Sequence, residues 1–562
     1  MYKKIIACIF IIFTCSCALK QRDVSKEIDL PPEEAYLFFM LGYTAEKEGK
    51  WEDAISYYNK ALELDPESSY LKTQISHILL KTGKISEAIS FTENILKTDP
   101  DYIPALTHLG ELYNSQKRTS DAIKIFRKIT KLQPDNQDAA LFLSLLYSSQ
   151  QEYDKAIEIL EKLINTYPDN IMALYYIGSI YLETGNLEKA SEFFKSAIAQ
   201  RPNFDMAYFN LGLISELKNE LNEAEKYYNK ATSLNPHNLQ YKERLAQTYY
   251  KQKDTEKAIE QYKKLSSLIP DNIDVHSNLG ILYLEEKQYD KAIEEFRIVL
   301  ESKPDLSPIR HYLAICLEEI GRDEEAIGEL EKIIAQEPQN VGAYIYLGFL
   351  YSKMDKNDEA IKIYHEALKY EKGKPEIYLY LAINYLHKKD FEKAEAVLKE
   401  AISRFEDNDE LNFNIAIVYE KTDRFEMMIK HLKKVLEINP NHADALNYLG
   451  YTYADKGIYL DEAFSLIKKA LELKPENGYI IDSLGWVYFR MGKYDEALQQ
   501  LLRAFSIIKD DPVILEHIGD VYSSMNHKDK AREFWEKAIE FQQKGEDESL
   551  KDRVEKKIKE IQ

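Results

Sequence analysis

The sequence predicts an all-α fold, a solenoid of about fifteen stacked helix–turn–helix units. A period of 34 residues runs through the chain, and periods of this length are typical of repeat arrays in which each unit packs on its neighbours. A small residue recurs at one place in every period, and an alanine usually follows twelve residues later. The period is marked by nine prolines: Pro66, Pro100, Pro134, Pro168, Pro202, Pro236, Pro270, Pro304 and Pro338.

Each period divides into two helices joined by a short polar turn. Gly212 and Ala224 are small residues of one period, and small side chains let two helix backbones cross closely. Tyr228 follows four residues after the alanine and supplies a large ring to the same interface. Pro236 then ends the second helix, because proline lacks an N–H and disfavours helix in the residue before it.

This pattern resembles the tetratricopeptide repeat. The segment from Ala207 to Pro236, AYFNLGLISELKNELNEAEKYYNKATSLNP, has the family's small, alanine, aromatic and proline positions. Fifteen rows in phase, from Ala35 to about Lys544, cover nearly the whole chain. The resemblance implies a right-handed α-solenoid superhelix with a C-terminal capping helix. The cap is indicated by four apolar residues at helical spacing: Leu550, Val554, Ile558 and Ile561.

The pattern becomes less regular in the second half of the chain. Lys372 and Glu406 replace two of the prolines, Met428 replaces the alanine of repeat 12, and repeat 13 has one extra residue before its Ala463. Two interpretations of this irregularity are possible: a hinge between two arrays, or sequence variation in loops that tolerate insertions. The predicted domains are a signal peptide at 1–16, a lipidated cysteine and polar tether at 17–34, repeats 1–10 at 35–374, repeats 11–15 at 375–545 and the cap at 546–562.

The amino terminus has the features of a secretory signal peptide. Lys3 precedes the apolar run Ile5–Phe13, which is shorter than the roughly 20 residues that cross a bilayer. Ser16 followed by Cys17 resembles a bacterial lipobox, which implies that Cys17 is acylated; a simply cleaved signal is the alternative. Ala18 after the cysteine implies sorting to the outer membrane, with the protein facing the periplasm.

The composition argues against several classes of partner. The formal net charge is −21, and an acidic chain without a basic stripe is a poor candidate for binding nucleic acid or anionic lipid head groups. We interpret the negative charge as a feature that keeps the protein soluble; recognition of a basic partner is the alternative interpretation. Beyond Cys17 only Cys316 remains, so we expect no intramolecular disulfide and a buried, inert thiol.

The sequence predicts no catalysis. Gly49-Lys50 and Gly492-Lys493 lack the residues of a phosphate-binding loop, and no GxSxG nucleophile motif occurs. The eleven histidines are scattered without metal-ligand spacing. We therefore expect no enzyme activity, no metal, no cofactor and no small-molecule substrate.

The family resemblance places a partner-binding groove on the first helix of each repeat, whose positions 2, 5, 9 and 12 point inward. Lysine and arginine are missing from positions 5, 9 and 12, which argues against clamping of a C-terminal carboxylate. Extended or helical segments with apolar anchors suit such a groove, and Trp486 and Phe489 are the favoured anchors. Packing between repeats is the competing interpretation. The predicted groove residues are Leu141, Leu145, Tyr175, Leu182, Phe209, Leu213, Phe349, Leu379, Ile383, Phe413, Ile417, Tyr451, Trp486 and Phe489.

These features together predict a lipid-anchored scaffold, and the family resemblance implies that it gathers proteins of an envelope assembly, secretion or export system. The segment Asn447–Leu498 resembles part of bacterial envelope lipoproteins with many such repeats, which supports the location. A periplasmic chaperone for unfolded apolar segments and a regulatory subunit of an envelope enzyme are the alternatives.

Overall fold

The structure is a computed structural model that describes residues 32–542 and 549–561. Within these residues every regular element is an α-helix and no strand occurs, so the predicted all-α class is confirmed. The predicted signal peptide, Cys17 and all but the end of the predicted tether lie outside the described residues.

The described residues form thirty-one helices, of which the first thirty make fifteen consecutive pairs, numbered here as repeats 1 to 15. The helices are α1 (Glu33–Lys47), α2 (Trp51–Leu64), α3 (Ser69–Lys81), α4 (Ile85–Thr98), α5 (Ile103–Ser115), α6 (Thr119–Leu132), α7 (Gln137–Ser149), α8 (Tyr153–Thr166), α9 (Ile171–Glu183), α10 (Leu187–Gln200), α11 (Asp205–Leu217), α12 (Leu221–Leu234), α13 (Leu239–Lys251), α14 (Thr255–Leu268), α15 (Ile273–Glu285), α16 (Tyr289–Ser302), α17 (Ser307–Glu319), α18 (Asp323–Gln336), α19 (Val341–Lys353), α20 (Asn357–Tyr370), α21 (Pro375–His387), α22 (Phe391–Arg404), α23 (Asp409–Lys421), α24 (Phe425–Ile438), α25 (Ala443–Lys456), α26 (Leu460–Leu473), α27 (Gly478–Arg490), α28 (Tyr494–Ile507), α29 (Pro512–Ser524), α30 (Lys528–Phe541) and α31 (Ser549–Glu560).

The chain divides into two units, residues 1–261 and 262–562. In each unit successive helices pack against each other, and their buried side chains form clusters that run from one helix pair to the next. This is the solenoid-like arrangement that the repeat pattern predicts, because each pair buries its apolar face only against its neighbours.

A ring of the second helix lies against the first helix at its small residue. In repeat 10, a methyl group on Gly348 would lie 2.5 Å from Cζ of Tyr364, so the ring occupies the space that a side chain would need. Tyr364 and the alanine Ala360 are both fully buried. The same contact joins Gly42 to Tyr58, Gly110 to Phe126, Gly178 to Phe194, Gly212 to Tyr228, Gly280 to Phe296 and Gly519 to Trp535.

Repeat 13 takes up its extra residue in its first helix, and its turn, which is as long as that of repeat 12, has a different conformation. Its first helix, α25, has 14 residues, whereas α23 of repeat 12 has 13. Its turn holds two left-handed residues, Gly457 at φ 69° and Tyr459 at φ 49°. The turn of repeat 12 has one, Asp423 at φ 55°. A left-handed residue closes a helix end, and a residue other than glycine adopts this conformation at a cost.

The last helix covers the end of the array. Leu550 and Val554 of α31 are fully buried in a cluster with Ile518 and Trp535 of repeat 15, and Ile558 packs at its edge. The predicted capping helix is therefore confirmed, with its apolar stripe turned toward the last repeat.

The ring contact gives a test of the packing. Gly348→Ala should lower the free energy of unfolding by about 1–3 kcal/mol, because its methyl group would overlap the ring of Tyr364. Gly328→Ala, within the neighbouring helix α18, is the control: nothing lies within 4 Å of its added methyl group, so it should stabilise by about 1 kcal/mol. Urea denaturation followed by circular dichroism measures both, and equal effects of the two substitutions would contradict this packing.

Candidate functional site

A cavity of about 560 Å³ lies beside the C-terminal ends of α23 and α25, in repeats 12 and 13. We call it the repeat 12–13 cavity. Its walls combine aromatic rings, carboxylates and one lysine: Tyr419, Glu420, Asp423, Phe425, Met428, Tyr448, Tyr451, Thr452, Asp455 and Lys456.

The cavity coincides with two departures from the repeat pattern. Met428 takes the place of the usual alanine, and it is buried in the wall of the cavity. Asp455 and Lys456 stand at the end of α25, the helix that repeat 13 makes one residue longer than α23. Both departures from the repeat pattern therefore contribute residues to the walls of the same cavity.

The charged residues that line the cavity are mainly acidic, although Lys421, outside the lining, pairs with Glu420 at 3.1 Å. Glu420, Asp423 and Asp455 contribute carboxylates, and Lys456 is the single cation among the lining residues. The Lys456 Nζ atom lies 5.9 Å from the centre of the Phe425 ring. Carboxylates beside aromatic faces attract a cationic group, because both the charges and the ring quadrupoles favour it.

Two tyrosines give the cavity a mixed apolar and polar wall. Burial raises the pKa of Tyr448 far above its usual value, and the charge of Glu420 adds to the shift. Burial also raises the pKa of Tyr451, with a further contribution from the charge of Asp482. Both phenols therefore stay protonated at neutral pH and can donate hydrogen bonds. The Tyr448 ring also lies edge-on to Phe413, with 6.1 Å between centroids.

Tyr451 leads from the cavity to an aromatic cluster in repeats 14 and 15. Its ring centroid is 6.3 Å from that of His517, which stacks on Trp486 at 4.1 Å. Trp486 in turn stacks on Phe489 at 4.8 Å. The structure thus brings the predicted groove residues Tyr451, Trp486 and Phe489 together through a histidine that the sequence analysis did not single out.

Trp486 presents little surface to a partner. Its side chain is 8% exposed, while Phe489 beside it is half-buried. Packing between repeats therefore accounts for most of the area that Trp486 buries, and its role as an anchor stays a prediction.

The other predicted groove residues divide by exposure. Leu145 and Phe349 are exposed, at 38% and 43%. Phe209 is buried and stacks on Tyr241 at a centroid distance of 4.7 Å. The remaining residues are half-buried: Leu141, Tyr175, Leu182, Leu213, Leu379, Ile383, Phe413 and Ile417.

A buried ionic network stands behind the aromatic cluster. His517 Nδ1 lies 3.0 Å and 3.1 Å from the two carboxylate oxygens of Asp482. Burial opposes the charged form of this histidine, but the charge and hydrogen bond of Asp482 outweigh it and hold the pKa of His517 above its usual value. Next to it, Glu516 accepts hydrogen bonds from Arg553 (2.8 and 2.7 Å) and Lys557 (2.6 Å) of the capping helix.

The remaining cysteine has no sign of reactivity. Cys316 is fully buried, and burial raises the pKa of its thiol to about 12. Its thiolate is the reactive form, and a pKa this high keeps the group protonated at neutral pH.

Neither a metal centre nor a membrane-spanning helix is found in residues 32–542 and 549–561. No three or more His, Cys, Asp or Glu side chains there are grouped so that they could hold a metal ion. None of the helices in these ranges is both long and apolar enough to cross a bilayer.

Comparison with known families agrees with this architecture. Models of the tetratricopeptide repeat match residues 45–211 in overlapping segments, 206–238 and 346–549, and a further one matches 18–69. A TPR repeat model matches 246–286, and the model of the Psidin N-terminal TPR repeats region matches 282–403. The chain belongs to the tetratricopeptide repeat family, whose members are generally scaffolds that bind other proteins.

Two solved structures are similar over most of their length. One is described as Naa15/Naa10 bound to HypK-THB, with 14% identity, a TM-score of 0.34, and coverage of 93% of this chain and 99% of the other. The second is the APC/C hetero-tetramer Cut9-Hcn1, with 12% identity, a TM-score of 0.38, and coverage of 94% and 96%. No curated protein sequence matches the chain.

The His517–Asp482 pair predicts a pH-dependent stability. Because the folded-state pKa of His517 is raised, the pair contributes fully below the unfolded value of about 6.5 and loses that contribution as the pH rises through the folded-state pKa. His517→Gln should lower the free energy of unfolding by about 3 kcal/mol at about pH 5.5, because it leaves the buried carboxylate of Asp482 without its cation. Urea unfolding of the wild type and the variant measures the difference between their free energies of unfolding, which should become smaller as the pH rises. A difference that is the same at every pH would contradict an ion pair between His517 and Asp482.

Proposed function

We propose that this protein is a lipid-anchored scaffold of the bacterial envelope that binds segments of partner proteins at repeats 12 and 13. The partner segment presents a basic side chain next to an apolar one. The observation that carries the proposal is the repeat 12–13 cavity, in which three carboxylates and four aromatic rings line one opening.

The chemistry of the cavity favours a lysine or arginine side chain. A cation over an aromatic face gains about 0.5–2 kcal/mol, and the carboxylates of Glu420, Asp423 and Asp455 add attraction from the rim. The rings of Tyr448 and Tyr451 offer apolar area for a neighbouring side chain, and the hydroxyl of Tyr451 can donate to the partner's backbone, whereas that of Tyr448 is engaged by Glu420. Tyr451 also links this cavity to Phe489, which is half-buried and extends the surface toward repeat 14.

The envelope location rests on the amino terminus. A basic start, a short apolar run and Cys17 after Ser16 support export followed by acylation. An outer-membrane anchor would keep the array in the periplasm, where it could hold partners of an assembly, secretion or export system.

Selection from a random peptide library on the purified protein tests the binding site. Peptides that carry Lys or Arg beside an aromatic or aliphatic residue should be enriched. The double variant Glu420→Gln, Asp455→Asn should bind the selected peptides about tenfold more weakly, because it removes two rim charges without changing side-chain size.

The matched control variant removes the same number of negative charges, at two residues that do not line the cavity. Glu426→Gln with Glu462→Gln neutralises two exposed carboxylates on the second helices of the same two repeats, and it should bind as the wild type does. Enrichment of acidic or purely apolar peptides, or equal weakening by both double variants, would refute the proposed site.

The anchor has its own test. In bacteria that express the full chain, Cys17→Ser should abolish incorporation of a clickable fatty acid and move the protein from the membrane fraction to the soluble fraction. Continued labelling of the variant, or an unlabelled wild type, would show that the envelope anchor is not on Cys17.

A further inference from the structure

A second groove lies on the second helices of repeats 3 and 4. Its volume is about 690 Å³, and it runs between α6 and α8. Lys124, Arg127 and Lys131 of α6 line one wall, and Lys155 of α8 contributes from the other side. We call it the repeat 3–4 groove.

This groove is basic although the chain as a whole carries a net charge of −21. Five of its lining residues are cationic and one, Glu158, is acidic. Lys124 pairs with Asp121 at 3.0 Å, Lys128 pairs with Asp101 at 2.9 Å, and Lys155 pairs with Glu152; all three acidic partners lie outside the groove lining. The average charge of the sequence therefore conceals a local surface of the opposite sign.

Two of the cations are not neutralised by the protein itself. The side chains of Arg127 and Lys131 are exposed, and neither has an ion-pair or hydrogen-bond partner among the described residues. Exposed unpaired charges steer oppositely charged partners toward a surface, and the effect weakens as salt is added.

The floor of the groove is apolar. Leu143 and Tyr147 are buried at its base, and Ile159 is half-buried beside them. Lys155 Nζ lies 5.4 Å from the centre of the Tyr147 ring, which places a cation at the edge of this apolar floor. A ligand that fills the groove therefore needs an apolar part between negative charges.

We propose that the repeat 3–4 groove binds an acidic segment of a partner protein, in which carboxylates flank an apolar side chain. Carboxylates on one side of the segment meet Arg127 and Lys131 of α6, those on the other side face Lys155 of α8, and the apolar side chain rests on Leu143 and Tyr147. Inorganic phosphate would leave the apolar floor unused. Four of the five cations are lysines, whereas bidentate recognition of phosphate is characteristic of arginine. This site does not depend on the repeat 12–13 cavity.

The test uses the full chain and a synthetic fluorescent peptide in which glutamates flank a central leucine. Fluorescence anisotropy should show binding that weakens with added salt. The triple variant Lys124→Gln, Arg127→Gln, Lys131→Gln should bind about tenfold more weakly, since exposed charges each contribute modestly. The same peptide with glutamines in place of glutamates should not bind.

The control changes exposed lysines on the second helices of later repeats, away from the groove. Lys195→Gln with Lys230→Gln replaces exposed lysines on α10 and α12 and should bind the peptide as the wild type does. Charge reversal by Arg127→Glu with Lys131→Glu should transfer binding to a peptide with lysines in place of the glutamates, which a merely misfolded variant would not do.

Three results would overturn the proposal. The first is equal binding of the acidic peptide by the wild type and the triple variant. The second is binding of polyphosphate or phosphatidylglycerol vesicles without binding of the peptide, which would assign the groove to phosphate groups. The third is salt-sensitive self-association, seen by analytical ultracentrifugation and lost in the triple variant, which would make this face an interface between copies of the chain.

Discussion

The fold depends on one contact that recurs along the chain, in which a ring of the second helix lies against a first-helix residue with almost no side chain. Tyr228 against Gly212 and Phe296 against Gly280 are examples, and in each the ring fills the volume that a methyl group would require. Because the rings are fully buried, each contact fixes the distance between two helix backbones. Successive pairs then stack by repeating one geometry, which is why the period of the sequence becomes the period of the structure.

The candidate site lies where this regular packing changes. An aliphatic side chain takes the place of the ring in several repeats, including Leu160 in repeat 4 and Leu330 in repeat 9, and in repeats 13 and 14 Ile467 lies against Gly450 and Leu501 against Gly485. Repeat 12 has Met428 in place of the alanine, and repeat 13 has a longer first helix. An array whose repeats were all alike would present the same surface at every step. These departures coincide with the rings and carboxylates of the repeat 12–13 cavity, and on our proposal they let the scaffold distinguish one partner from another.

Helix pairs, their small and aromatic positions and the capping helix could be predicted from sequence, because they depend on residues within one period or at its edge. The irregularities at Met428 and before Ala463 could also be seen in the sequence. Nothing in the sequence showed that Met428 and the end of the longer helix α25 would line one cavity. His517 and Asp482 could not be paired in advance, since they stand 35 residues apart on the first helices of successive repeats. The repeat 3–4 groove was missed for a different reason: the net charge of the whole chain conceals the cations of α6, and Leu143 and Tyr147 beneath them come from the next repeat.

We propose above that protein segments bind in the repeat 12–13 cavity. Hydrogen–deuterium exchange measured by mass spectrometry, with and without a bound basic peptide, tests it most directly. We predict slower exchange in the C-terminal turns of α23 and α25, around Glu420 and Asp455, and unchanged exchange in the second helices of repeats 1 to 6. Protection confined to other helices, with α23 and α25 exchanging as in the free protein, would contradict it.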